Sequence, residues 1–136
     1  MVNQIFVNLP VADLEKSKAF FQKIGYTINP QFTDDTAACV VMGENIFVMI
    51  LTHEKFRQFT PKVISDAGHS TEVLTALSLS SREDVNEKFR KAIEAGGTEA
   101  RPEQDYGFML GKAFNDLDGH IWELIYMDMS QFPQKA

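Results

Sequence analysis

Phe114-Asn115-Asp116-Leu117-Asp118-Gly119-His120-Ile121-Trp122-Glu123-Leu124 joins a turn to a strand near the end of the chain. Asp116-Leu117-Asp118-Gly119 is a tight acidic turn, because Asp hydrogen-bonds its own backbone and Gly accepts φ > 0. The turn runs straight into an apolar strand that carries one carboxylate, Glu123. A carboxylate inside an apolar strand is costly to bury, so it demands a partner: a cation, a base or a group of a bound molecule.

Working outward, the strand is the last element of a pattern that occurs twice. Gln4 to Leu9 alternates as a strand with Ile5, Val7 and Leu9 on one face, and Pro10 is expected to stop it. Asp13 is placed to cap a helix whose stripe is Leu14, Ser17, Phe20, Phe21 and Ile24, and Gly25 ends it. Strands are expected over Tyr26 to Phe32, Thr36 to Met42 and Ile46 to Thr52, the last two joined by Gly43-Glu44-Asn45. The second half repeats the order. A strand from Val73 to Leu79 leads to a capping box of Ser81 with Asp84, then a helix with Val85, Phe89, Ala92 and Ile93 that stops at Gly96-Gly97. Strands follow over Thr98 to Arg101, Phe108 to Phe114 and His120 to Met127.

The chain therefore reads as one α+β domain, 1–136, of two βαβββ modules, 1–52 and 73–129, separated by a connector, 53–72. Phe56, Phe59, Val63 and Ile64 suggest a packed, partly helical connector, and residues 66–70 read as flexible. The halves are offset by about seventy residues, above the solenoid range, which marks a duplicated module and not an array.

Bulk properties narrow the function classes. A chain of 136 residues buries roughly two-thirds of its unfolded surface, enough for a core. Its net charge of −6 argues against nucleic acid and against anionic membranes as partners. Cys39 is the single cysteine, so neither an internal disulfide nor a cysteine metal cluster forms within the chain. Met1-Val2-Asn3-Gln4 does not read as a signal peptide, and the expected location is the cytoplasm.

The two modules, the Val11-Ala12-Asp13-Leu14 entry to a helix bearing Phe20-Phe21, and the turn-strand 116–124 together resemble the vicinal-oxygen-chelate superfamily of glyoxalases, bleomycin-resistance proteins and extradiol dioxygenases. The resemblance covers nearly the whole chain. It implies a curved mixed sheet around a cup, with helices on the convex face, and a homodimer. It also implies metal ligands at facing positions of the cup. Carried over one at a time, these fall on Phe6 and Ile50 in the first module and on Leu74 and Glu123 in the second. Only Glu123 is a ligand type, whereas a divalent ion takes about three or four N, O or S donors at ~2 Å. A register slip of two would offer Asn8, and a slip of one would turn the side chain to the other face. No cofactor is therefore expected, with a divalent metal as the alternative.

The cup implied by the resemblance is lined in the first module by Phe6, Asn8, Val48 and Ile50. In the second it is lined by Leu74, Ala76, Phe108 and Glu123, with Tyr106 and Lys112 at the mouth. Phe6, Ile50 and Leu74 make its floor apolar, which suits an aromatic or aliphatic ligand. Three roles stay open for Glu123: a former ligand paired with Lys112 or Tyr106, an anchor for a polar group of a bound molecule, or a general base. Trp122 alternates away from Glu123 and is expected in the core under a helix. His120 reads as a strand-edge residue tied to Asp116 or Asp118. His53 and His69 read as solvated, and Cys39 as packing. Phosphate-binding glycine loops and a nucleophile elbow are missing from the sequence.

The expected function is to bind a small, partly apolar molecule without a metal, in the manner of bleomycin-resistance proteins. One alternative is a glyoxalase-type lyase or dioxygenase with a metal site rebuilt from Glu123 with His53, Asn8 or a second chain. The other is a dimeric interaction module without catalysis, so whether the protein is an enzyme stays open.

Overall fold

A computed structural model describes residues 1–133; the last three residues of the expected domain, 134–136, lie outside it. The chain forms two compact units, Met1–Asp66 and Ala67 onward, each built on a four-stranded mixed sheet.

In the first unit, β1 (Ile5–Val11), β2 (Thr27–Asn29), β3 (Ala37–Gly43) and β4 (Ile46–Thr52) lie in the order β1-β4-β3-β2, with β1 parallel to β4 and the other pairs antiparallel. Helix α1 (Leu14–Ile24) begins at Asp13, whose carboxylate accepts from Lys16 N at 3.0 Å, and ends at Gly25 with φ 116°. Its stripe of Phe20, Phe21 and Ile24 is sealed from solvent, as are Ala38, Val40, Val48 and Ile50 on one face of the sheet, and α1 packs on β2, β3 and β4. A second helix, α2 (His53–Arg57), is capped by Thr52 and packs on β1 and β4.

Two strand limits differ from the sequence reading. Pro10 does not stop β1, which continues to Val11 with Pro10 opposite Leu51. The strand is at the sheet edge, where a residue without N–H is tolerated. β2 is shorter than expected because Pro30 opens a 3-10 turn, Pro30–Phe32.

The second unit repeats the plan. β5 (Leu74–Ser78), β6 (Thr98–Asp105), β7 (Met109–Asn115) and β8 (Ile121–Met127) lie in the order β5-β8-β7-β6, with β5 parallel to β8. Helix α3 (Arg82–Glu94) starts at Ser81, whose hydroxyl accepts from Asp84 N at 3.0 Å. It packs on β6, β7 and β8, above a floor of Leu110, Phe114, Trp122 and Leu124. β6 runs four residues past Arg101, the expected end, with register shifts on either side of Arg101. It too is an edge strand, and the shifts accommodate Pro102.

The acidic turn is fixed by one carboxylate. Asp116 Oδ1 accepts from the backbone N–H groups of Asp118 and His120, each at 3.0 Å, and Oδ2 accepts from Trp122 Nε1 at 3.0 Å. Burial pushes the Asp116 carboxyl above the usual carboxylate range, against the pull of His120 and of the Trp122 hydrogen bond. Trp122 is fully buried on the α3 face, as the alternation with Glu123 requires. Gly119, at φ 91°, closes the turn against Ala67 and Gly68, where a Cβ would lie 2.7 Å from the Ala67 carbonyl oxygen.

Candidate functional site

The face of the second sheet opposite α3 carries the candidate site. Ala76, Glu123, Ala113 and Arg101 stand in one register row across β5, β8, β7 and β6. Glu123 and Arg101 are thus two strands apart, about 10 Å between backbones at the usual strand spacing. The residue between them is alanine, so both side chains lean over it and meet. Arg101 Nη1 donates to Glu123 Oε2 at 2.6 Å, and the side chains retain 27% and 17% of their exposure. Gly111 is the next residue of β7 on this face, and a Cβ there would lie 3.7 Å from Met109 Cε and 3.9 Å from the second Arg101 nitrogen.

The pair is incompletely satisfied. Arg101 Nη2 reaches Gln104 Oε1 only at 3.5 Å, the outer limit of a hydrogen bond. Arg101 Nε is buried with no partner. Among the described residues, the second oxygen of Glu123, Oε1, is engaged by no donor. Leu74, 55% exposed, and Ile121 surround it by register, with Ile125 on the same face. The result is a donor and an acceptor side by side in an apolar setting.

The structure brings together Leu74, Ala76 and Glu123 as the sequence places them, and it supplies a partner the sequence reading missed. One of the three roles left open for Glu123 paired it with Lys112 or Tyr106. Lys112 instead stands opposite Leu124, on the α3 face, with Nζ 4.9 Å from the centre of the Phe89 ring and 3.4 Å from Glu103. Its place at the mouth of the cup is therefore corrected: it lies one residue out of phase with Glu123. Tyr106 and Phe108 sit at the β6–β7 hairpin, beyond the Met109–Met127 pair, which is four residues along β8 from Glu123 or ~13 Å. There Tyr106 stacks on Phe108, and Phe108 meets Phe132 edge-on at 5.3 Å. The hairpin is tied to α3 by Arg82, which bonds Asp105 and the Gly107 carbonyl.

Arg101 was legible in principle. β5 to β8 contain two cationic side chains, Arg101 and Lys112, and only one of them shares parity with Glu123. Ending β6 at Arg101 hid the pairing.

In the first unit the expected lining residues divide between faces. Phe6 and Asn8 stand opposite Phe47 and Met49, and the Phe6 and Phe47 rings stack at 4.8 Å. Val48 and Ile50 have the opposite parity and are sealed on the α1 side. Their assignment to a ligand face is corrected; Met49 occupies the place given to Ile50. Asn8 and Leu51 line a groove of about 290 Å³ with Phe56, Phe59 and Thr60, where the start of the connector folds against the sheet. A second groove, of about 370 Å³, lies along β5 and α3 between Asp84, Glu87, Lys88 and Lys91, whose charges balance.

Residues 4–43 match the family described as bleomycin resistance protein-like N-terminal. A glyoxalase-related enzyme from Fulvimarina pelagi shares 20% identity with the chain at a TM-score of 0.78, covering 99% of this chain and 94% of that one. The chain has the vicinal-oxygen-chelate fold. Other structures with this fold include a hypothetical protein from S. aureus, with 28% identity, TM-score 0.77 and coverage of 93% and 95%. A bleomycin-binding protein complexed with bleomycin has 22% identity, TM-score 0.63 and coverage of 92% and 98%. No curated protein matches the chain.

The metal implied by the resemblance would take its donors from the places of Phe6, Ile50, Leu74 and Glu123. Phe6, Ile50 and Leu74 have none, and Met49, which replaces Ile50 on the outward face, has only a thioether. Glu123 is engaged by a guanidinium. Among the described residues no three His, Cys, Asp or Glu side chains gather where they would hold an ion. No helix among them is long and apolar enough to cross a membrane.

Proposed function

We propose that this protein binds a small, partly apolar molecule on the face of its second sheet opposite α3, and does so without a metal. The observation that carries the reading is the Arg101–Glu123 pair at 2.6 Å. A guanidinium against the one retained ligand-type carboxylate puts a fixed positive charge beside it, which opposes the approach of a metal ion. The pair still leaves polar atoms for a ligand's polar end, while Leu74, Ala76, Ile121 and Ile125 suit an apolar body. The complex of a bleomycin-binding protein with bleomycin supports small-molecule binding as a use of this fold. Self-association belongs to the same reading: edge strands β1 and β5 expose Ile5, Phe6 and Leu74, the kind of edge that a second chain covers.

The test is a thermal-unfolding screen of small aromatic and aliphatic compounds in the presence of a chelator. A binder raises the midpoint in proportion to its occupancy of the native state. Stabilisation by at least one compound class with chelator present is the expected result. Stabilisation by Zn²⁺, Ni²⁺ or Fe²⁺ alone, with none from organic compounds, would overturn the reading in favour of a rebuilt metal centre. No stabilisation by either, with a dimer in sedimentation, would favour an interaction module.

A further inference from the structure

Resting on that reading, we infer that the group recognised at the Arg101–Glu123 pair is the edge of a neutral amide: a carbonyl and an N–H side by side, as in a carboxamide or a lactam, on a partly apolar body. The ion pair is a charge-neutral unit with a donor on one side and an acceptor on the other. Arg101 keeps Nη2, whose contact with Gln104 is only 3.5 Å, while Glu123 keeps Oε1. An amide edge offers the complementary acceptor and donor in one plane.

The alternatives fail on charge. A carboxylate ligand attracted by Arg101 would come to lie beside Glu123, itself 2.6 Å from the guanidinium, and like charges at such distances repel. The net charge of −6 adds to that repulsion. A cationic ligand meets the same conflict with Arg101. A purely apolar ligand would cover Arg101 and Glu123 without replacing the water bonded to them, which costs binding. Ala113 lies beneath the pair and the row ends on Ala76, so no bulky side chain of this row stands above the paired groups.

The experiment titrates the whole protein with benzamide, benzoate and ethylbenzene, following the backbone amide resonances of Gly111, Ala113 and Glu123. Benzamide is expected to shift them and to bind at least about tenfold more tightly than either of the others, since bonds to charged groups are among the stronger ones. Equal or tighter binding of benzoate overturns the inference, and so does ethylbenzene equal to benzamide; in both cases the binding face itself survives. Silence from all three contradicts the binding face and takes the inference with it. Glu123→Gln then provides a signature that a merely structural pair would not give. With the carboxylate neutralised, Arg101 is an uncompensated cation, and the preference should reverse to benzoate. A folded Glu123→Gln protein that still prefers benzamide overturns the inference. If that variant does not fold, the three-probe comparison on the unaltered protein decides alone.

Discussion

Arg101 and Glu123 are two strands apart in one register row and meet over Ala113, with Nη1 2.6 Å from Oε2. Their contact braces edge strand β6 to β8 across β7. Removing the cation leaves a carboxylate that is mostly out of water with no compensating charge. Arg101→Met keeps much of the side-chain bulk and should lower the unfolding free energy by about 1–3 kcal/mol. Chemical denaturation reads this as a lower midpoint at unchanged slope. A midpoint equal to that of the unaltered protein would mean the pair contributes nothing to the sheet.

Gly119 and Gly107 separate two costs of a left-handed glycine. Both have positive φ, 91° and 79°, but a Cβ at Gly119 would strike the Ala67 carbonyl and Gly68, whereas none lies within 4 Å at Gly107. Gly107→Ala should therefore cost about 1 kcal/mol, from backbone strain alone, and Gly119→Ala several times that. Equal losses in the two variants would show that the turn against residues 67 and 68 relaxes freely.

The β6–β7 hairpin should be sensitive to acid. A hydrogen bond from Arg82, and then one from the Gly107 N–H, hold the Asp105 carboxyl below the usual carboxylate range. The folded state thus favours the ionised form. Its stabilisation is present above the unfolded aspartate value and is lost as pH falls through the lower, folded value. Arg82→Gln should move the NMR-detected titration midpoint of Asp105 upward. A midpoint that stays put would assign the shift to the backbone instead.

Lys112 serves as the contrast to Arg101. It is a strand cation of the same sheet, turned to α3 and seated over Phe89. Lys112→Met retains the apolar stem on that ring and should leave ligand binding unchanged while altering stability by less than about 1 kcal/mol. Loss of binding in this variant would place the ligand on the wrong face.

The repeat, the two long helices, their caps and the acidic turn were legible because each follows from local rules. Asp13 and Ser81 cap, Gly25 terminates, and the stripe of Phe20, Phe21 and Ile24 has helical spacing. What the sequence hid was parity. Val48 and Ile50 differ from Met49 by a single step, and a single step decides between the core and the outward face. Apolar residues on both faces of β4 gave no alternation to count. The same problem misdirected Lys112 and concealed Arg101, whose strand carries a proline and register shifts that disguise it as a loop. Asp116 was legible as a turn former, but not as the acceptor that joins Trp122 to the turn, since that contact depends on both residues being buried.

Binding at the Arg101–Glu123 face is tested by mapping which backbone amides move when the isotopically labelled protein is titrated with a small aromatic ligand in the presence of a chelator. Shifts are expected to centre on Ala113, Glu123, Gly111 and Ala76 and to be abolished in Arg101→Met. Shifts confined to other residues, or shifts at this face that appear only after a divalent metal is restored, would contradict metal-free binding there.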